Sequence, residues 1–460
     1  MNWDQLLLNE TFRPRSPLKH FDGRDPFEND YSRIISSSFT RRLQDKTQVF
    51  PLHESDFIRT RLTHSLEVSS IARSLGKSVE KTLIQQKELD GLLIGQIPSL
   101  LAVAGLVHDL GNPPFGHFGE SAIKSYFRKF FTDGNKGNLW TEQEKNDFIY
   151  FDGNVQTLRI LRKLQYLGDE YSYNLTLPTL ASIIKYPRNS VKGNKGKTTG
   201  NIADKKFGYF LTEEDDYNHI SNKLGLKNER HPVVFLLEAA DDIAYSAADI
   251  EDGVKLGTLD FESIYETFEL SLKGGTELEE KTLMELKNIY GTFKANGSDR
   301  LNLTVNKFRI FTQAIMIQET INEFLANYSL IMNGEYKTEL ISNCAAKNIR
   351  KAYQNLSTLV FKHKGIIQAE LAGWEVIQGL LNIFVPASLN NNFNSNGNNY
   401  ESRLYNMISY SLRHMFETHS TIYSGTNHEY RRFQLIIDFI SGMTDSYALK
   451  YYQKLKGIAL

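Results

Sequence analysis

Hydrophobic and polar positions alternate along this chain with a helical period almost throughout. Residues 56–76 (DFIRTRLTHSLEVSSIARSLG) repeat apolar side chains at Leu62, Leu66, Val68, Ile71, Ala72 and Leu75, which predicts a helix stopping at Gly76. A further helix is predicted at 79–94. Residues 97–110 are apolar on every face, the pattern of a fully buried helix. Helical spacing returns at 118–131, 141–150, 153–166, 214–224 and 231–255. It continues at 260–292, 302–332, 338–361, 363–383, 401–417 and 428–456.

Between these stretches the pattern changes. Residues 1–35 carry Arg13-Pro14, Ser16-Pro17 and Asp25-Pro26 and predict an extended arm, followed from Ser32 by an amphipathic helix that ends near Lys46. Residues 187–203 (PRNSVKGNKGKTTGNIA) read as a mobile basic loop and 387–402 as a disordered Asn-rich loop. A short hairpin element is expected near 334–340. There is no βαβ alternation and no internal repeat, so the expected fold class is mainly α.

Three of the apolar helices are each interrupted by a residue able to bind a metal. His64 interrupts RLTHSLEV, His108 and Asp109 end the buried helix, and Asp241 or Asp242 breaks VVFLLEAADDIAYSAA. An unpaired carboxylate in such surroundings is costly. Each position has an ordinary structural reading as a satisfied core or ion-paired residue; their recurrence in three helices favours a shared centre. Two imidazoles with two carboxylates suit Mn²⁺, Mg²⁺, Fe²⁺, Ni²⁺ or Zn²⁺.

A turn, NPPFG, follows His108-Asp109. After it His117 and Glu120 stand three apart and share a helix face. Two readings are open for them: a general acid with its orienting carboxylate, or ordinary first-turn residues favoured by the helix dipole. Arg61 precedes His64 by three residues, on the same face, where a phosphate would meet a guanidinium. Arg59 reads as a surface ion-pairing residue. Asp241, Tyr245 and Asp249 form a polar stripe at four-residue spacing, of the kind that lines a cavity.

Composition narrows the setting. The 460 residues hold 53 Lys plus Arg against 54 Asp plus Glu, which argues against a protein that coats nucleic acid. The single cysteine, Cys344, rules out an internal disulfide and fits a reducing compartment. The start, MNWDQLLLNETFRPRSP, is too polar for a signal peptide, and no apolar run reaches the about 20 residues of a spanning helix. A soluble cytoplasmic protein without membrane contact is expected.

The segments SRIISSSFTRRLQDKTQVFPL, RTRLTHSLEVSSIARSLG, AGLVHDLGNPPFGHFGE, FLLEAADDIAYSAADIEDGV and DFISGMTDSYALKYYQKL, in this order, resemble the deoxyguanosinetriphosphate triphosphohydrolases, a branch of the HD-domain phosphohydrolases. The match is weakest between about 255 and 420. The resemblance implies an HD-domain helical core over 36–255 behind the arm of 1–35. A helical region over 256–460 is expected to complete the substrate pocket and the oligomer contacts.

The resemblance also implies roles for single residues. His64, His108, Asp109 and Asp241 match the metal set, with Asp241 preferred because Tyr245 and Asp249 then fall at the family's spacing. His117 and Glu120 match the catalytic histidine and its acidic partner. Gln48 and Val49 match residues beside the sugar, Arg61 the arginine at the α-phosphate, and Tyr245 and Asp249 the deoxyribose contacts. Lys185, Tyr186, Lys206 and Arg432 are further candidates for triphosphate or base contacts. The implied reaction converts a dNTP to deoxynucleoside and inorganic triphosphate with a divalent metal, Mn²⁺ or Mg²⁺ first. A homo-oligomer, often a hexamer in this family, and a dNTP or single-stranded DNA effector are implied as well. The rivals are an HD phosphohydrolase acting on another nucleotide and a catalytically silent binding scaffold.

Overall fold

The computed structural model describes residues 1–14, 23–48, 50–52, 58–133, 140–165, 167–295, 297–419 and 427–458. Its frame is set by α1 (Pro26–Ile35), α2 (Arg61–Gln85) and α3 (Gln96–Val107). α3 is buried along its length, as a helix with no polar face must be; Leu100, Leu101, Val103, Ala104, Leu106 and Val107 are fully enclosed. α2 crosses it closely because both helices omit a side chain at the contact. A Cβ on Gly105 would fall 2.6 Å from the Ser69 Cα, and one on Gly76 2.7 Å from Leu101 Cδ1. Gly76 therefore does not end a helix, as its low propensity suggests; it lets α2 continue to Gln85 against α3. The N–H groups at the start of α3 that lack partners within the helix are satisfied from α2, where the Glu80 carboxylate accepts from Gly95 (2.9 Å) and Ile97 (3.1 Å).

Beyond α3 come α4 (Gly116–Thr132), α5 (Gly153–Arg159), α6 (Pro232–Lys255), α7 (Gly297–Ala326), α8 (Lys347–Val360), α9 (Lys364–Ser388), α10 (His428–Ser441) and α11 (Asp445–Leu455). They bury three apolar clusters. The first joins α1–α3 to the front half of α6. The second joins α4 and α5 to α9–α11. The third packs the rear half of α6 against Phe261–Leu272, Glu277–Thr292, α7 and α8. The fold is mainly α, as expected. Among the described residues the β pairings are two isolated antiparallel bridges, Thr11–Thr176 and Thr47–Thr60, and no helix is long and apolar enough to cross a membrane.

Several local expectations are corrected. Among the described residues, the first 35 do not form an extended arm throughout: Trp3–Leu6 is a helical turn with both end residues in the core, and Asp25-Pro26 starts α1. Asp25 and Glu28 form a reciprocal capping box there, and Pro26 occupies the first helical position, where its missing N–H costs nothing. Ser37 then caps Ser38–Arg42, dividing the single helix expected up to Lys46.

The long C-terminal stretches divide in the same way. Residues 260–292 break at Gly274-Gly275 and 428–456 at Gly442, and Thr276 and Thr444 cap the second helix of each pair. Residues 334–340 hold no strand; Gly334 ends the Tyr328–Asn333 helix in a left-handed conformation. Residues 187–203 are pinned by backbone bonds from Lys195 to Asp204 (2.8 Å) and from Ile202 to Lys337 (2.9 Å). Within the Asn-rich segment Phe393 is buried in the second cluster.

Candidate active site

Three helices deliver the candidate ligands to one point. His64 lies one turn into α2, His108 and Asp109 follow the last turn of α3, and Asp241 sits in the middle of α6. The ligand atoms of His64, His108 and Asp109 lie within 4.8 Å of one another. Asp241 Oδ1 is 3.1 Å from His64 Nε2 and 3.4 Å from His108 Nε2. The neighbouring Asp242 turns to Arg350 (2.8 Å) and leaves the cluster to Asp241.

The donor set fits a divalent ion. Both imidazoles are buried, and His108 Nδ1 is occupied by the Gly105 carbonyl at 2.7 Å, which directs Nε2 at the cluster. That buried Nε2 meets no hydrogen-bond partner among the described residues. Outer contacts hold the carboxylates: Arg61 Nη1 and Asn112 Nδ2 each donate to Asp109 at 2.6 Å, and Lys185 Nζ lies 3.4 Å from Asp241. Burial raises both acids, but the His108 and Arg61 charges hold the Asp109 carboxyl well below the usual carboxylate range. His108 and Lys185 do the same for Asp241.

The second group hangs on the turn after Asp109. Phe115 adopts a left-handed backbone (φ +63°), unusual for a bulky residue, and swings the chain back into α4. His117 and Glu120 then face the cavity with Nδ1 and Oε2 3.3 Å apart. Glu120 is buried and also accepts from the Gly153 N–H at 2.7 Å. Burial pushes its carboxyl up, but the hydrogen bond and charge of His117, helped by Lys124 and Lys206, bring it down to about 2. Glu120 in turn raises His117 above its ordinary value. Glu120 thus favours the protonated form of His117.

Both groups open into one cavity of about 680 Å³. Its wall includes Gln48, Arg61, His117, Glu120, Lys185, Tyr186, Lys206, Asp241 and Tyr245. Lys206 also pairs with Asp152. Tyr245 is half-buried, with its ring edge-on to His64 at 6.5 Å. Asp249 is buried and outside the lining, and burial pushes its carboxyl to about 7. Val49 lies outside the described residues.

Two expectations do not hold in this chain. Arg432, expected at the triphosphate or base, spends its guanidinium on the Ser388 and Asn390 carbonyls at the end of α9, away from the cavity. Arg59 is not a surface residue: it is mostly buried against Glu67 (3.2 Å), Asp252 (3.0 Å) and Glu251.

The cavity also holds residues that the sequence reading passed over. Arg350, Phe361 and Glu370 line it from α8 and the start of α9, where no polar stripe marked them. Lys46 is buried beneath it, donating to the Asn112 and Ser441 carbonyls. Asp445 binds the backbone of both Thr47 and Phe115.

The HD domain family model matches residues 61–185, and a phosphohydrolase-associated domain model matches 390–454. The chain is 42% identical to a deoxyguanosinetriphosphate triphosphohydrolase-like protein of Listeria innocua, over the whole of both chains. It is 32% identical to a like-named protein of Synechocystis, again over both whole chains. With a deoxyguanosinetriphosphate triphosphohydrolase of Serratia proteamaculans it shares 30% identity over 96% of each chain.

Proposed function

The chain belongs to the deoxyguanosinetriphosphate triphosphohydrolase family of HD-domain nucleotide phosphohydrolases, and from that premise we propose that it cleaves a dNTP into deoxynucleoside and inorganic triphosphate. One observation carries the reading: a cationic wall of Arg61, Lys185 and Lys206 shares a single cavity with the His117–Glu120 pair.

Arg61, fixed on Asp109, grips the α-phosphate and orients it for in-line attack. Water forms the new P–O bond at the α-phosphorus, the P–O5′ bond breaks, and O5′ leaves with the Nε2 proton of His117. Water's own proton passes to solvent. Glu120 occupies His117 Nδ1, which keeps Nε2–H turned to the leaving oxygen. His64, His108, Asp109 and Asp241 would hold a divalent ion, Mn²⁺ or Mg²⁺ first, and that ion would neutralise phosphate charge when bound.

On the sugar side, Gln48 reads the 3′-hydroxyl, its Oε1 being buried without a protein partner among the described residues. Tyr245 packs against the 2′ carbon and excludes a ribose hydroxyl. A homo-oligomer, a cytoplasmic location and activation by a dNTP or single-stranded DNA belong to the same reading.

The test is to incubate the chain with each dNTP singly and in mixture, with Mn²⁺ or Mg²⁺, and to identify both products. Deoxynucleoside and tripolyphosphate in equal amounts are expected, with activity only in the mixture marking an effector. Release of monophosphate or pyrophosphate overturns the reading.

A further inference from the structure

Three stretches far apart in sequence meet beneath the cavity floor. One is 45–47, just before Gln48. The second is 112–115, just before His117. The third is 441–446, the link between α10 and α11, which lies within the phosphohydrolase-associated match. Lys46 Nζ donates to the Asn112 carbonyl and, at 2.9 Å, to the Ser441 carbonyl. Asp45 accepts from Thr444 and Ser446 at 2.5 and 2.8 Å.

At the centre is Asp445, which is 1% exposed. Its Oδ2 accepts from the Thr47 N–H (3.0 Å) and the Thr47 hydroxyl (2.7 Å), and its Oδ1 accepts from the Phe115 N–H (2.9 Å).

Two features set this carboxylate apart from an ordinary helix-start residue. Thr444 already caps α11, its side chain accepting from the Tyr447 N–H, so the helix does not need Asp445 for that purpose. The Asp445 side chain turns away from its own helix and contacts two neighbours more than 300 residues distant in sequence. Moreover, one of those neighbours is the left-handed Phe115. A residue in that conformation persists only where its surroundings hold it, and the bond from its N–H is one of the contacts that do so.

We propose that Asp445 is a positioning residue: by binding Thr47 and Phe115 with its two oxygens it sets the separation between Gln48 at the sugar and His117 at the leaving oxygen. The proposal rests on the roles given above to those two side chains. It assigns the C-terminal region a definite part in the chemistry, since one carboxylate from it joins the two turns that handle the nucleoside half of the substrate. Asparagine at 445 keeps the shape but presents N–H₂ to one of the N–H donors, which opens one side of the junction.

The experiment is a double-substitution cycle on the full chain with metal and dNTP, read as single-turnover release of tripolyphosphate. Asp445→Asn is expected to lower the rate between about 10- and 100-fold, the scale of a displacement near 1 Å. In a His117→Ala background the same substitution is expected to cost less than about 3-fold, because one of the two groups whose separation it sets is gone. An equal loss in both backgrounds, or no loss in the first, overturns the proposal.

Should Asp445→Asn fail to fold, Thr47→Val removes one of the three bonds and the same cycle is run with it, again expecting the loss to vanish in His117→Ala. If the unsubstituted chain releases no tripolyphosphate, the functional reading falls. The junction is then read by thermolysin, which is expected to cut within 112–119 faster in Asp445→Asn at an unchanged melting temperature. Unchanged cleavage overturns it.

Discussion

The ligand cluster and the His117–Gln48 rim share a cavity, yet they are built by opposite means. His64 and Asp241 stand within regular helices, and His108-Asp109 directly follows one; the other faces of those helices are core. Their spacing is a by-product of helix packing. The rim is placed by turns: Gln48 lies in one, and His117 stands in the first turn of α4, directly after another. His117 follows a left-handed Phe115, and Gln48 follows a short helical turn at 43–45, each pinned by hydrogen bonds from the far end of the chain. The difference teaches where each kind of error is felt. A fault in the helices displaces the core as well, whereas a fault in the turns changes chemistry while the fold persists.

The largest break in that comparison is expected from His108→Ala. It removes a candidate ligand whose Nδ1 already has its fixed partner, and activity should fall by at least about 10⁴-fold, several kcal/mol of lost charge stabilisation. Bound metal, measured by elemental analysis, should fall with it; full retention of metal refutes the ligand role.

His117→Ala should cost about 10²- to 10³-fold with metal content unchanged. Glu120→Gln should cost about tenfold and also move the pH profile in a definite direction. In the proposed role His117 acts protonated, and Glu120 raises its pKa, so activity is expected to fall as pH rises through that raised value. Without the carboxylate the fall must begin at lower pH; a fall displaced upward contradicts the pairing.

Tyr245→Ala is expected to narrow the preference for dGTP over GTP by about tenfold, the scale of one lost packing contact. Competition between the two nucleotides measures it, and an unchanged ratio removes Tyr245 from sugar selection.

The smallest effect on chemistry is expected from Gly76→Ala. Its Cβ would press on Leu101 and Pro98, an overpacking cost of about 1–3 kcal/mol, against a gain of about 1 kcal/mol in helix propensity. The melting temperature should drop while the rate per folded molecule stays constant.

What could be read from the sequence follows the same division. His64, His108 and Asp109 were visible because a polar residue in an apolar helix departs from its period. That pattern could not choose between Asp241 and Asp242, which differ only in whether the side chain reaches the cluster or Arg350. Asp25-Pro26 was misread because proline marks both the end of an extended stretch and the first position of a helix. Gly76 was misread because a glycine that ends a helix and one that admits a crossing neighbour look alike in one dimension. Phe361 ends a helix and Arg350 and Glu370 sit on polar positions of theirs, where the apolar period carries no information about what they face. Asp445 looked like any helix-start residue, since its two partners are backbone groups and backbone groups leave no trace in composition.

The bond between Glu80 and the start of α3 has a consequence for how the molecule opens. α3 rises about 1.5 Å per residue, so this contact braces α2 to α3 a dozen residues from His108, while His64 and His108 face each other at the other end. Neither helix can fray without the other. Their amides should exchange with solvent only through global unfolding, and those of Asn112, Phe115 and Gly116 through local opening. The geometry of the candidate ligands thus shares the stability of the whole fold, and local opening is confined to the side of the cavity to which the proposed function assigns the nucleoside.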